Sequence, residues 1–367
     1  MVANFGVVSS ASVAASRSIK VKSTTILAIA GTGTAEGLKY HSTVEQAILE
    51  ATDGTIKSAL LDLDTQGVEL PLVISTAAEG ADEAETKTAV IAAVQEIKNA
   101  PSRFGVSPDL VIAPEFSGDA NIDLAMVATA DAVRGIALID LSASDETIAI
   151  NGKIAGRRAV SLYPAVQAWD GVTSALVDRP YSIFYAGVIA KTDAARIYGF
   201  AYSPSNQLLS GASGMVPDVG FTGGESCEAD RLRTAGINTI INYNGLRTWG
   251  SETGDIDPVW QDLRRVRIFD RLVDAALSGL FWAVDRNAVD VLPHIKTSLQ
   301  ELLNGMKGAG VLLGFNVYWD PDKNTKTALA EGRFFLTVET QDTPAVKRLE
   351  VNFNYTDQYS GVLIQEV

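Results

Sequence analysis

Cysteine and histidine are nearly absent from this chain: one of the first and two of the second occur in 367 residues. The single Cys227 excludes an intrachain disulfide and is consistent with folding in a reducing cytoplasm. His41 and His294 cannot supply the several N or S ligands a zinc site needs. They are expected at the surface or at helix ends. No apolar run approaches the roughly 18 residues of a membrane span. The N-terminus, MVANFGVVSSASVAAS, lacks a basic leading region and its apolar residues are interrupted by Ser and Asn, so it does not read as a signal peptide. Positive charge is also short. Lys and Arg number 30 against 44 Asp and Glu, a formal net charge of −14. Bare nucleic acid is thereby an unsuitable partner, because phosphate binding takes a concentrated basic surface.

What is present is a globular composition, 47% hydrophobic and 20% charged, with length enough for two cores. Residues 1–22 are rich in Ser, Ala and Val without helical periodicity, and read as an extended arm. Residues 24–30 (TTILAIA) form a short apolar run closed by Gly31, a buried strand. Further strands are expected at 70–74, 109–113 and 135–140, with helices at 44–51, 81–99 and 121–133 between them. The alternation continues through 157–162, 186–193 and 237–241. Alternating apolar strands and helices predict an α/β fold with a mostly parallel or mixed sheet covered on both faces. After Trp249 the character changes. Helices are expected at 259–278 and 288–305, then strands at 314–319, 332–339 and 345–355, a separate α+β unit. In the last of these Leu349, Val351 and Phe353 alternate with Glu350, Asn352 and Asn354. Residues 358–367 read as a second detached arm. Two arms with strand propensity leave backbone groups unsatisfied at home, and the remedy is to add them to a sheet edge in another copy. Such contacts are heterologous and build rings or open helices.

The candidate reaction sites are weak. Gly31-Thr32-Gly33-Thr34-Ala35-Glu36-Gly37 follows a strand but has the spacing G-x-G-x-x-x-G, and Glu36 puts negative charge where a phosphate would sit; it reads as a structural turn. Ser213, in Gly211-Ala212-Ser213-Gly214, lacks the nucleophile-elbow spacing. A Ser-His-Asp triad would need His41 or His294 as its base. Cys227 has acidic neighbours, which disfavour the thiolate. Asp82, Glu83 and Glu85, and Asp255 with Asp257, read as solvated loop faces or as sites for a divalent cation. No cofactor, metal or catalytic residue is assigned.

The most informative stretch is 232–287. It runs from a strand through Tyr243-Asn244-Gly245 to Gly245-Leu246-Arg247-Thr248-Trp249-Gly250. An acidic loop, a helix carrying Arg264, Arg265, Arg267, Asp270, Arg271 and Asp274, and Trp282-Ala283-Val284-Asp285 follow. Its Trp, Arg and Asp have the profile of a contact surface. The helix charges read either as an internally balanced surface helix or as a latch between subunits.

The order of these blocks resembles the contractile tail sheath proteins of bacteriophages and related injection machines. Arg17-Ser18-Ile19, Ser203-Pro204-Ser205-Asn206, and Gly332-Arg333-Phe334-Phe335 extend the likeness along nearly the whole chain. The resemblance implies an outer α/β domain, subtilisin-like in outline, over 23–245. It also implies a tube-facing α+β domain over 246–355, with linking arms at 1–22 and 356–367. It implies a non-enzymatic virion subunit, assembled in the host cytoplasm, that polymerises around a tail tube and contracts. Its partners would be further copies of itself, the tube protein, the baseplate and the tail terminator, without direct nucleic-acid contact or membrane insertion. Phe5, Val7, Val8, Arg17, Ile19, Tyr359, Val362 and Ile364 would belong to the arms. Arg247, Trp249, Arg267, Asp270, Trp282 and Asp285 would form the family-motif interface, and Lys296 and Lys307 would touch the tube. The alternatives are an α/β enzyme (a nucleotide-binding oxidoreductase or a hydrolase) and another self-assembling component such as a tube or capsid protein.

Overall fold

A computed structural model describes residues 18–171, 173–224 and 226–359. The elements run β1 (Leu27–Thr32), β2 (Gly37–His41), α1 (Val44–Glu50), α2 (Gly54–Thr65), β3 (Leu72–Ala77), α3 (Glu83–Glu96), α4 (Ala100–Phe104), β4 (Leu110–Ile112), α5 (Ala120–Val133), β5 (Ile136–Asp140), α6 (Glu146–Asn151) and β6 (Ala159–Leu162). Then come β7 (Ala165–Asp170), β8 (Ala175–Arg179), α7 (Tyr181–Ala194), β9 (Ala212–Val216), α8 (Glu228–Thr234), β10 (Ile237–Asn242) and β11 (Leu246–Trp249). The chain continues with α9 (Leu263–Leu280), α10 (Ala288–Gly308), β12 (Leu312–Trp319), α11 (Lys326–Ala330) and β13 (Leu336–Asp342).

Eight strands form one sheet in the order β11-β10-β6-β5-β4-β1-β3-β2. The six inner strands are parallel, and the two edges, β2 and β11, are antiparallel. Period-2 alternation sorts side chains between the two faces. Leu27 and Ile29 of β1 and Ile136 and Leu138 of β5 join the core against α2 and α7. Ala28, Ala30 and Ala137 face α3 and α5, where small residues let the helices approach. The expected α/β sheet with covered faces is therefore what forms. Residues 186–193 lie in α7, a helix buried nearly all round, which places Tyr181, Phe184 and Tyr185 among the largest buried side chains. A helix apolar on every side carries no amphipathic stripe to mark it.

A small antiparallel sheet, β8-β7-β9, branches from the end of β6, and a third core lies around α9, α10 and the β12–β13 hairpin. Helix starts are set locally: Thr43, Asp82, Asp119, Asp145, Asp262, Asn287 and Thr325 each accept a first-turn backbone N–H.

Several expectations are corrected. The division at 245/246 would cut a hairpin, because β11 pairs with β10 and belongs to the large sheet. The helical C-terminal unit begins with α9. Residues 345–355 form no ladder among the described residues. His41 is buried at the end of β2, near Glu50 at 3.8 Å, and burial pushes its imidazole pKa down. Ile19, expected on a detached arm, is buried in the chain's own third core. A Cβ on Gly279 would lie 2.7 Å from its side chain, so the glycine makes room for it. Lys22 is held to Asp109 at 2.8 Å. Residues 19–22 therefore do not belong to a detached arm.

Candidate interaction surfaces

The arginines of α9 neither balance one another nor face outward. They form a seam between the helix and the sheet. Arg264, Arg267 and Arg271 are all buried. Arg267 grips Asp193 of α7 through both guanidinium nitrogens, and the Thr25 hydroxyl donates to the same carboxylate. Arg271 meets Asp109, before β4, at 2.9 Å. Asp109 also accepts from Lys22 at 2.8 Å and from the Ile26 N–H at 2.7 Å. Burial alone would raise the Asp109 pKa, but Arg271 and Lys22 hold it below the usual carboxylate value. Asp270 receives two bonds from Arg158, at 2.7 and 2.8 Å, yet burial leaves its pKa raised. Arg265 reaches Asp342 of β13 at 2.7 Å, and Arg134 reaches Asp274 at 2.9 Å. One helix is thus tied by opposite charges to α7, to the entry of β4, to the entry of β6 and to β13. Paired and hydrogen-bonded charges of this kind define a register, and removal of one partner is costly.

This arrangement corrects the expectation for Arg267 and Asp270, which are internal rather than placed between subunits. Trp249 is also largely internal: its ring meets Phe221 at 5.2 Å and lies under Arg233 at 5.0 Å. Arg247 donates to the carbonyls of Tyr243 and Asn206 at 2.9 and 3.1 Å, which pins the 203–208 loop to β11. Gly250 is required by its φ of +127° and by Asn238, whose Oδ1 would lie 2.6 Å from a Cβ there. Trp282 is half-buried, and Asp285 is exposed with φ +60°. Lys296 is half-buried on α10, whereas Lys307 is exposed near the end of that helix. Sequence reasoning missed Asp193, Asp109 and Asp342, because each partner lies dozens of residues or more from its arginine.

The C-terminal unit carries an apolar groove. The groove, about 720 Å³, runs between α9, α10 and the hairpin, lined by Leu272, Val273, Leu280, Val291, Phe334 and Val338 among others. From 345 to 355 the chain joins no strand among the described residues, and Val346, Leu349, Phe353 and Tyr355 are each at least 79% exposed. Tyr359 is exposed as well. Phe5, Val7, Val8, Arg17, Val362 and Ile364 lie outside the described residues. The Gly31–Gly37 turn closes on Thr55 and Asp53, and a depression there is lined by Glu36, Asp53 and Glu79 with no cation. A phosphate would be repelled. Among the described residues no group of three or more His, Cys, Asp or Glu is placed to hold a metal, and no helix is long and apolar enough to cross a membrane.

A putative prophage major tail sheath protein of Pseudomonas aeruginosa is 33% identical over 302 residues, covering 78% of each chain. The chain belongs to the tail sheath family. The tail sheath protein of Escherichia phage P2 is 24% identical over 348 residues, covering 88% of this chain and 86% of its own. The family model described as the phage tail sheath C-terminal domain matches residues 255–356. That span takes in α9 to β13 and the extended segment, in agreement with a unit that starts beyond β11. Among solved structures, the anti-feeding prophage helical sheath in its contracted state superposes with a TM-score of 0.71. Its sequence identity is 20%, over 96% of this chain and 99% of that one, a likeness of fold. The sheath chain is thus a structural protein with a mixed α/β sheet.

Proposed function

We propose that this protein is the repeating subunit of a contractile tail sheath. Copies assemble helically around a tail tube, and the sheath shortens to drive the tube through a host envelope. The free energy lies in the difference between two packings of the same subunits, so no nucleotide is consumed. The observation that carries the reading is the exposed segment 345–355, which joins no strand among the described residues. Apolar side chains alternate along a backbone that no strand among the described residues satisfies, close to an apolar groove and to a sheet that has only two strands among those residues. A neighbouring copy can supply what each lacks by strand addition. The two arms would then link subunits into a mesh that stays connected as the sheath shortens. The α/β unit faces outward and the C-terminal unit faces the tube, with Lys307 and Lys296 of α10 toward it. The baseplate and the tail terminator bound the two ends, and the working place is the virion tail, after assembly in the bacterial cytoplasm.

The test is electron microscopy of the chain coexpressed with the tube protein of the same genome. The full-length protein should give striated cylinders. Chains lacking residues 1–16, or residues 358–367, should remain folded by circular dichroism and yield no sheath that contracts. Contracting sheaths from either truncation would overturn the linking role of that arm.

A further inference from the structure

We infer that a cationic pocket beside β11 receives the paired carboxylates of the 254–258 loop of a second copy of this chain; the inference rests on the self-assembling sheath reading. The pocket, about 480 Å³, lies between the C-terminal end of α7, the 202–210 loop and β11. Lys191, Arg196 and Arg247 line it, with Tyr202, Leu208 and Ser210, and no carboxylate does. Lys191 Nζ donates to Ser210 Oγ at 3.0 Å. The Arg196 guanidinium stacks over Tyr202 at 4.1 Å, and Arg247 donates to carbonyl oxygens and to the Asn206 side chain. Among the described residues none of the three forms a salt bridge. This contrasts with the α9 seam, where every arginine is paired, in a chain with an excess of 44 − 30 = 14 carboxylates. Burial pushes the Lys191 ammonium below its usual pKa, and no neighbouring carboxylate opposes the shift. The α7 C-terminus offers only about half a negative charge through its dipole, against three full positive charges.

The 254–258 loop has the matching chemistry. Asp255 Oδ1 accepts from the Asp257 N–H at 2.9 Å, and Asp257 Oδ1 accepts from the Val259 N–H at 2.9 Å. Gln261 Nε2 holds the Asp255 carbonyl at 3.0 Å. The turn is therefore ordered by its own side chains before anything docks, which reduces the entropy lost on binding. Between the two carboxylates projects Ile256, 90% exposed, and the pocket offers Leu208, 56% exposed, for it. Neither aspartate forms a salt bridge among the described residues. In a helical assembly the loop of each copy enters the pocket of the next, a heterologous contact that propagates.

The experiment is disulfide trapping between two variants with one added cysteine each, Ser210→Cys and Ile256→Cys, mixed in equal amounts and coassembled with the tube. Native Cys227 is buried. The mixture is expected to give a covalent dimer under mild oxidation, and either variant alone is not. A second arm uses Lys191→Glu/Arg196→Glu, expected to lower the assembled fraction at least about tenfold, with partial recovery when mixed with Asp255→Lys/Asp257→Lys chains. Striated sheaths that form normally while Ser210→Cys and Ile256→Cys do not crosslink would overturn the contact and leave the sheath reading intact. Crosslinking of Ser210→Cys to Gly80→Cys in the other acidic loop would overturn the choice of loop. Absence of any sheath from the unmodified chain would instead sink the reading beneath it.

Discussion

Replacing Arg271 by Met should expose how much of this fold depends on its charge seam. Arg271 is 3% exposed, and its guanidinium meets Asp109 at 2.9 Å and the Thr24 carbonyl at 3.3 Å. Methionine keeps most of the volume and removes the charge. Asp109 is then left with Lys22, itself partly buried, and the Ile26 N–H. Stranding a buried partner in this way costs about 3–5 kcal/mol, against a typical domain stability of about 5–15 kcal/mol. The pH dependence should change sign. In the wild type the Asp109 pKa is depressed, so its contribution is present above the unfolded value of 3.8 and is lost as pH falls below it. In Arg271→Met burial becomes the controlling influence and raises the pKa. The folded state then holds its proton longer than the unfolded state, and stability falls as pH rises, by at most about 1.4 kcal/mol per unit. Guanidinium unfolding followed by far-ultraviolet circular dichroism at pH 5 and pH 8 measures both effects. Adding Asp109→Asn, which keeps an acceptor for the Ile26 N–H, should recover at least half of the loss. A penalty below about 1 kcal/mol that is flat with pH would refute the view that the seam holds helix and sheet in register.

Three further outcomes follow from single sites. Burial pushes the Asp62 carboxyl up to about 6 in spite of Arg179, so its ionised form is unfavourable in the fold above that pH. Asp62→Asn should therefore stabilise the protein by about 1–3 kcal/mol at pH 8, and the gain should vanish at pH 4 in the same unfolding assay. Gly250→Ala forces φ +127° on a residue with a Cβ and drives that atom toward the buried Asn238; a loss of about 2 kcal/mol or more in thermal or chemical unfolding is expected. Gly279→Ala should dislodge Ile19 and open the neighbouring Lys20 and Lys22 to trypsin, read as faster removal of the N-terminus with the rest of the chain intact.

What was legible in the sequence was what local pattern carries. The apolar runs at β1, β3, β4 and β5 announce themselves because buried parallel strands are apolar throughout, and α9 and α10 because their apolar residues recur at helical spacing. The extended segment after β13 shows where pattern misleads. Leu349, Val351 and Phe353 alternate as a strand should, but alternation specifies a pairing-competent face and not a partner, and among the described residues of one copy no strand pairs with them. The α9 arginines misled in the opposite direction. Their i,i+3 spacing to Asp270 and Asp274 suggests pairs along one helix, whereas burial sends them to Asp193, Asp109 and Asp342.

These two misreadings have one physical cause. Sequence spacing reports neighbours along an element, while the decisive contacts of this chain lie across elements. The charged residues that looked suited to joining copies are spent joining the helix to its own sheet. The apolar residues that looked suited to an ordinary closing strand join no strand among the described residues. A subunit built this way keeps its rigidity inside, through buried paired charge, and exposes an alternating apolar segment at 345–355. Unsatisfied strand edges are a liability in a monomer and a connector in a polymer, and the chain's net negative charge opposes indiscriminate pairing until copies are aligned.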